Sequence, residues 1–157
     1  EYEMVNINNR IEASLNMLYS QYIEKIQIIK EFCKDSNIEC NPIQIDQVIL
    51  NILTNAIQSI DDKGKIIIKT IKENDNIYIR IIDSGRGIPD EFLPKIFEPF
   101  FTTKQGKGTG LGLSICYEII KKHNGEILIN SKQGNGSEII VELPIYQVSS
   151  RISENAN

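Results

Sequence analysis

Two isoleucine-rich runs lie almost side by side in the chain, KIIIKTIK at 65–72 and NIYIRIID at 76–83, and the polar segment ENDN joins them. Short β-branched runs separated by a polar turn predict an antiparallel hairpin. Further strands are predicted at 25–32, 126–130 and 137–145, where aliphatic residues again dominate. A chain of 157 residues can bury such strands in one ordinary core, so we expect a single domain.

Three segments have the spacing of amphipathic helices. Apolar residues recur every three or four positions over 9–21, and Asn8 is the expected N-cap. The pair Asn41 and Pro42 predicts the start of a second helix that ends near Ile60, and a third helix is predicted directly before the terminator KKHNG. The apolar face of the second helix comprises Val48, Ile49, Ile52, Leu53, Ala56, Ile57 and Ile60. Its other side carries Gln47, Asn51, Thr54, Asn55 and Gln58.

Composition excludes several classes of partner. The net charge is −4 and the lysines are scattered, so we expect no nucleic-acid partner. The apolar runs are strand-sized and no signal peptide opens the chain, so we expect a soluble segment without membrane contact. Cys33, Cys40 and Cys116 show no paired metal spacing, which indicates reduced packing thiols in a cytoplasmic compartment. Because the first residue is Glu1 rather than methionine, we expect a segment excised from a longer protein.

Two asparagines on the second predicted helix, Asn51 and Asn55, lie four residues apart and therefore share one face. A solvated polar face is one interpretation of this pair. The other is a ligand site, because an amide oxygen is a neutral hard ligand suited to Mg²⁺ that also holds phosphates and water. The two residues by themselves leave both interpretations open.

Asp83 ends the second strand of the hairpin and is followed by Gly85 and Gly87. A tight turn closed by the aspartate side chain is a common role for such a sequence. The alternative is a carboxylate at the floor of a cleft, where it accepts a hydrogen bond from the exocyclic amine of a base. Such an acceptor favours adenine, because guanine presents a carbonyl oxygen at that position.

Glycine occupies every second position from 106 to 112, directly before the third predicted helix. The spacing matches neither the GxxxxGK[ST] phosphate loop nor the dinucleotide pattern GxGxxG. Free backbone amides at a helix N-terminus still favour an anion, and Lys104 and Lys107 add positive charge nearby. The preceding segment, 90–107, holds four of the five phenylalanines, and GNGS at 134–137 has the composition of a hairpin turn.

Taken in order, these motifs resemble those of the catalytic ATP-binding domain of sensor histidine kinases, whose superfamily includes gyrase B, Hsp90-type chaperones and MutL-type repair proteins. NILTNAIQSI is similar to the asparagine box, DSGRGIP to the first glycine box and IFEPFFTTK to the phenylalanine box. GKGTGLGLSI resembles the second glycine box and GNGS the third. The resemblance extends from about Val5 to Pro144.

The resemblance implies the Bergerat fold, an α/β (α+β two-layer) sandwich in which a mixed, mainly antiparallel sheet is covered on one face by three helices. The predicted element order of strand, helix, strand, helix, hairpin, lid, helix and hairpin fits that fold. Residues 1–147 would form the catalytic ATP-binding domain, with a mobile lid at 90–107, and residues 148–157 a polar, disordered tail. The lid's anchors, which also face a partner domain, would be Phe97, Phe100 and Phe101.

The resemblance also implies ATP and Mg²⁺ as cofactors, with Asn55 as the metal ligand and Asp83 bound to adenine. Asn51 occupies the position where hydrolysing relatives place a glutamate as general base, which favours a kinase over a hydrolase. Gln58 stands where many histidine kinases have a basic residue that touches phosphate. The catalytic residues would be Asn51 and Lys104. The nucleotide-binding set would comprise Asn51, Asn55, Gln58, Asp83, Gly85, Gly87, Ile88, Phe100, Thr102, Thr103, Lys104, Lys107, Gly108, Thr109, Gly110, Leu111, Gly112, Leu113 and Ser137.

A histidine kinase also needs a phosphoacceptor histidine on a helical dimerisation domain. The only histidine of this chain, His123, lies in KKHNG and is expected to cap a helix with help from the helix dipole. The substrate histidine would therefore lie upstream of Glu1 in the parent protein, and a response regulator would act downstream. Two alternatives stay open: a serine kinase like the anti-sigma factors, and a non-catalytic module that binds ATP to organise a partner.

Overall fold

The computed structural model describes residues 1–101 and 112–147, and in these ranges three α-helices pack on one face of a five-stranded sheet. A separate pair of short strands lies beside this sandwich. The elements in chain order are β1 (Glu3–Asn6), α1 (Ile7–Tyr22), β2 (Ile26–Glu31), β3 (Asn37–Cys40), α2 (Pro42–Gln58), β4 (Gly64–Glu73), β5 (Asn76–Asp83), a 3₁₀ helix (Asp90–Lys95), α3 (Gly112–Lys122), β6 (Glu126–Ser131) and β7 (Ser137–Pro144).

The central sheet has the strand order β2-β4-β5-β7-β6. Strands β2 and β4 are parallel and the other neighbours are antiparallel, so the mixed, mainly antiparallel sheet implied by the resemblance is confirmed. The predicted hairpin is β4 and β5, in which Glu73 pairs with Asn76. Its turn places Asn74 at a φ of 56°, in the left-handed region that asparagine tolerates better than most residues.

Helix α2 is the central element of the helical layer, and its predicted start and apolar face are both confirmed. The side chain of Asn41 accepts a hydrogen bond from the backbone N–H of Gln44 at 3.2 Å, and Pro42 opens the helix. None of the helices in the described ranges is long and apolar enough to cross a membrane. All seven residues predicted for the apolar face are buried: Val48, Ile49, Ile52, Leu53, Ala56, Ile57 and Ile60.

The start of the chain differs from the sequence prediction in two respects. The N-cap of α1 is Asn6 rather than Asn8, and its side chain accepts from the backbone N–H of Asn9 at 2.9 Å. Asn8 instead donates to the carbonyl of Cys33 at 2.8 Å and accepts from the Thr70 hydroxyl at 2.8 Å. Strand β3 was not predicted, and it forms because it pairs with β1. Both corrections arise from tertiary contacts that local spacing does not encode.

His123 follows α3 and is fully buried. One ring nitrogen, Nδ1, lies 2.8 Å from the carbonyl oxygen of Ile119, and the other, Nε2, accepts from the backbone N–H of Asn41 at 3.1 Å. Burial lowers the pKa of His123 below its ordinary value, with the Ile119 hydrogen bond opposing this shift. The predicted cap is therefore made by a hydrogen bond from a neutral ring rather than by a charge on the helix dipole. Such a buried ring is not available as a phosphoacceptor.

The three cysteines are free thiols, as the sequence predicted. Cys40 and Cys116 are buried, and burial raises the pKa of each to about 12. A thiol in such surroundings stays protonated and behaves as a small apolar side chain.

Candidate nucleotide-binding site

A cleft of about 290 Å³ lies between the polar side of α2, the end of β5 and the start of α3. Its walls include aliphatic side chains from α2 and from the inner face of the sheet, such as Ile52, Ile81 and Ile139. Polar groups project from one end of the cleft and from α2, so the cavity combines an apolar slot with a polar rim. Nine of the predicted site residues line it: Asn51, Asn55, Gln58, Asp83, Gly87, Ile88, Gly112, Leu113 and Ser137.

Asp83 is the carboxylate at the floor of this cleft and is 8% exposed. Its Oδ1 accepts from the backbone N–H of Gly85 at 2.9 Å and lies 3.1 Å from the hydroxyl of Ser59. Burial raises the pKa of Asp83 above its ordinary value, and hydrogen bonds from Gly85, Ser59 and the backbone of Ser137 partly oppose the shift. The carboxylate is thus held in one orientation as a hydrogen-bond acceptor.

The polar side of α2 contributes three amides to the cleft. Asn51, Asn55 and Gln58 occupy successive turns of the helix and all line the cavity. Asn51 also donates through Nδ2 to the carbonyl oxygen of Gly112 at 3.4 Å. The predicted grouping of these amides is observed, and their oxygens are neutral hard ligands that match Mg²⁺ chemistry.

Two positions in this region require glycine for structural reasons. Gly87 has a φ of 71°, and a side chain on it would overlap the backbone carbonyl of Lys132. Gly136 has a φ of 76°, and a side chain there would overlap the backbone carbonyl of Asp83. Both combine a left-handed backbone with close backbone approach, which only glycine accommodates without strain. The first and third glycine motifs therefore pack the turn after β5 against the turn between β6 and β7.

The aromatic residues of the segment after β5 divide into inward and outward positions. Phe97 packs against the core and against Tyr117, with ring centroids 5.5 Å apart. Phe101 lines the cleft and lies against Phe92 at a centroid distance of 5.7 Å. Phe100, which the sequence placed among the nucleotide contacts, is 75% exposed and lies outside the cleft lining. Phe101 rather than Phe100 lines the cleft, and the adjacent FF pair in the sequence gives no signal to choose between the two.

Some predicted site residues lie outside the described part of the chain, and some residues that line the cleft were not predicted. Those outside the described residues are Thr102, Thr103, Lys104, Lys107, Gly108, Thr109, Gly110 and Leu111. Ser59 and Arg86 line the cleft, yet neither was among the predicted site residues. Arg86 forms an ion pair with Asp61 at the cleft margin, and Ser59 directly follows the last turn of α2. The position of Ser59 one turn after Asn55 is the signal that could have identified it.

An aliphatic slot with one fixed carboxylate, amides on an adjacent helix and close-packed glycine turns defines a nucleotide-binding domain of the two-layer α/β type. Comparison with known proteins agrees with this class. Residues 40–147 match the family described as histidine kinase-, DNA gyrase B-, and HSP90-like ATPase.

Similar proteins narrow the class further. Sporulation kinase E of Bacillus subtilis (strain 168) is 37% identical over 150 residues, which cover 93% of this chain and 20% of that protein. The catalytic domain of histidine kinase ThkA superposes with a TM-score of 0.84 at 34% identity, covering 93% of this chain and 99% of that one. ThkA in complex with the response regulator protein TrrA gives a TM-score of 0.79 at 32% identity, covering 92% of this chain and 42% of that one.

The chain therefore belongs to the histidine kinase-, DNA gyrase B- and HSP90-like ATPase family, as a catalytic domain of the sensor histidine kinase type. It spans about a fifth of the length of Sporulation kinase E. The Bergerat-type fold expected from the motifs is confirmed. Neither alternative, the serine kinase or the non-catalytic module, is supported by these comparisons.

Proposed function

We propose that this domain binds ATP with Mg²⁺ and transfers the γ-phosphate to a histidine on a dimerisation domain of its parent protein, as a step in two-component signalling. The observation that carries the proposal is the pairing of a fixed acceptor, Asp83, with a neutral amide, Asn51, in one cleft. Asp83 selects the base of the nucleotide, and Asn51 leaves the γ-phosphate protected from hydrolysis. The chain from 1 to 147 would form the catalytic domain, with 148–157 lying beyond it.

At the base end, the Asp83 carboxylate accepts a hydrogen bond from the exocyclic amine of adenine. Its orientation is set before the nucleotide arrives, because Gly85 and Ser59 already contact Oδ1. Guanine would place a carbonyl oxygen against this carboxylate and leave two acceptors facing each other. The flat base fits between the aliphatic walls of the cleft.

At the phosphate end, Asn55 supplies an amide oxygen suited to Mg²⁺, and Gln58 lies one turn further along α2. When bound, Mg²⁺ neutralises charge on the phosphates and keeps several water ligands. We assign phosphate contacts also to Lys104 and Lys107 and to the amides of the glycine-rich segment that leads into α3. In this arrangement, Lys104 provides a positive charge that stabilises the transferring phosphoryl group.

Asn51 determines which acceptor receives that group. A carboxylate at this position could take a proton from water, but a carboxamide has no comparable basicity. Water in the cleft is therefore not activated as a nucleophile. The γ-phosphate is retained until a histidine side chain from the partner domain approaches.

The partners follow from this chemistry. The buried ring of His123 leaves the phosphoacceptor to a dimerisation domain elsewhere in the parent protein. ThkA is described in complex with a response regulator, and we propose a response regulator as the downstream partner here as well. Because the reaction consumes ATP, we place the domain in the cytoplasm.

The direct test is transfer between two separate polypeptides. This chain is mixed with the histidine-bearing dimerisation domain of its parent protein and ATP labelled in the γ-phosphate. The proposal predicts acid-labile, alkali-stable label on the dimerisation domain, and loss of that label when its histidine is replaced by glutamine. Labelling of serine, or no labelling while the nucleotide is bound, would contradict it.

A further inference from the structure

Ser131, at the end of β6, brings together two parts of the site that are far apart in sequence. Its hydroxyl accepts from the backbone N–H of Ile88 at 2.8 Å. The same oxygen lies 3.1 Å from the carbonyl of Gly136 and 2.7 Å from the hydroxyl of Ser137. Ser131 pairs with Ser137 across the β6–β7 ladder, and Ser137 pairs in turn with Asp83 of β5. The contact set thus connects the base end of the cleft to the segment that precedes the 3₁₀ helix.

The direction of each hydrogen bond follows from counting protons. A serine hydroxyl has one proton and two lone pairs. The N–H of Ile88 can only donate and the carbonyl of Gly136 can only accept, so Ser131 gives its proton to Gly136. The remaining lone pair then accepts from the Ser137 hydroxyl. This arrangement forms one more hydrogen bond than the reverse direction, in which Ser131 donates to Ser137 and Gly136 loses its hydroxyl partner.

The orientation of Ser137 has a consequence for the ligand. Ser137 lines the cleft beside Asp83. Because its proton points towards Ser131, the Ser137 hydroxyl oxygen can act only as an acceptor for a group in the cavity. The base end of the cleft therefore offers two acceptors, the carboxylate of Asp83 and the hydroxyl oxygen of Ser137. An exocyclic amine carries two N–H donors and suits this pair, whereas a carbonyl oxygen meets two acceptors.

We propose that Ser131 is a positioning residue that sets the Ser137 hydroxyl as an acceptor and so strengthens selection of adenine over guanine. This inference rests on the proposed function, because it concerns the base of the nucleotide. Ser131 acts through Ser137 and lies outside the cleft lining itself. Its bond to Ile88 also fixes the turn from which the 3₁₀ helix starts.

The test compares ATP and GTP affinities by calorimetry for the full chain and for Ser131→Ala, Ser131→Thr, Ser137→Ala and the double alanine variant. Removing the Ser131 hydroxyl frees the Ser137 proton to face the cleft. We expect Ser131→Ala to lower the ratio of ATP to GTP affinity by about tenfold, in the range of one hydrogen bond. Ser131→Thr keeps a hydroxyl and should keep the ratio. In the Ser137→Ala background, Ser131→Ala should leave the ratio unchanged.

The selectivity ratio separates this role from a merely structural one. A Ser131→Ala variant with a lower melting temperature but an unaltered ratio would overturn the inference, as would an equal effect in the Ser137→Ala background. Ser131→Cys, similar in volume but a weak donor, gives the same comparison if the alanine variant does not fold. A wild-type chain without preference for ATP would instead overturn the proposed function, and the two failures are therefore distinguishable.

Discussion

The side-chain amide of Asn51 donates to the carbonyl oxygen of Gly112 at 3.4 Å, so the middle of α2 contacts the first residue of α3. This contact places Asn51 beside the start of α3. Asn51 also lines the cleft, at the end to which we assign the phosphates.

Replacing Asn51 by glutamate introduces a general base into this position. General bases contribute about 100- to 10,000-fold in enzymes, and we expect at least about a tenfold rise in phosphate release from ATP. A coupled phosphate assay measures the rate. Asn51→Gln is the matched control, because it has the length of glutamate without its basicity. Equal release by the two variants would mean that the neutral amide does not protect the phosphate.

Replacing Asp83 by asparagine exchanges an acceptor for a group that can donate to the base. A hydrogen bond to a charged group contributes about 1.5–3 kcal/mol, so ATP affinity should fall roughly 10- to 100-fold. The preference for ATP over GTP should narrow as well, since the new amide can face a carbonyl oxygen. Calorimetry with both nucleotides measures this. Asp61→Asn, an exposed acid beside Arg86, serves as the control and should bind ATP almost normally. Unchanged affinity in Asp83→Asn would contradict the assigned adenine contact.

The same substitution should stabilise the domain in the absence of nucleotide. Burial raises the pKa of Asp83 from its ordinary value of 3.8, so the folded state favours the protonated acid. The stability that protonated Asp83 contributes to the folded state is fully present below pH 3.8. It is lost as the pH rises through the higher folded-state pKa. At pH 7 the ionised carboxylate therefore weakens the fold, and neutral asparagine should raise the melting temperature. This gain in melting temperature should become smaller as the pH is lowered towards 4. A destabilised variant at pH 7 would show that the hydrogen bonds to the carboxylate outweigh its desolvation.

The burial of His123 leads to a second pH effect on stability, opposite in sign to that of Asp83: stability is lost as the pH falls. Burial lowers its pKa from 6.5, so the folded state holds the neutral ring while the unfolded chain can take up a proton. The stability that neutral His123 contributes is present above pH 6.5 and is lost as the pH falls towards the folded-state pKa. The loss is at most about 1.4 kcal/mol per pH unit. Urea unfolding between pH 7 and 5.5 should show the loss in the wild type. His123→Gln can still accept from Asn41 but does not titrate, so its slope should be flatter. Identical slopes would contradict the assignment.

Two glycines of the turn between β6 and β7 form a matched pair. Gly134 has a φ of 87° with open space around it, so alanine there adds only left-handed backbone strain, about 1–2 kcal/mol. Gly136 has a similar φ, but a side chain would also overlap the carbonyl of Asp83. We expect Gly136→Ala to reduce the unfolding free energy further and to weaken ATP binding, whereas Gly134→Ala should leave binding nearly intact. Equal effects on ATP affinity would show that the close approach is not needed.

Much of the fold could be predicted because its largest elements carry strong local patterns. Helix α2 combines an asparagine cap, a proline at its first position and a broad apolar face, and all of these agree with the structure. The sequence pattern of the isoleucine-rich hairpin is an equally strong signal. The predicted site residues Asn51, Asn55 and Asp83 converge on one cleft because α2 packs over the end of β5.

The misses have a common cause, which is that the deciding contacts are distant in sequence. Asn6 rather than Asn8 caps α1, because Asn8 is engaged by Cys33 and Thr70. Ser131 carries no local signature, since a serine at the end of a strand is common at turns. The role of Ser131 appears only when β5, β6 and β7 are aligned.

The most direct measurement is a calorimetric titration of this chain with ATP and with GTP, with and without Mg²⁺, followed by a phosphate-release assay on the same sample. A kinase catalytic domain with Asp83 at the base and Asn51 beside the phosphates predicts Mg²⁺-dependent binding of ATP, much weaker binding of GTP and almost no phosphate release. Steady phosphate release, or equal affinity for the two nucleotides, would contradict it.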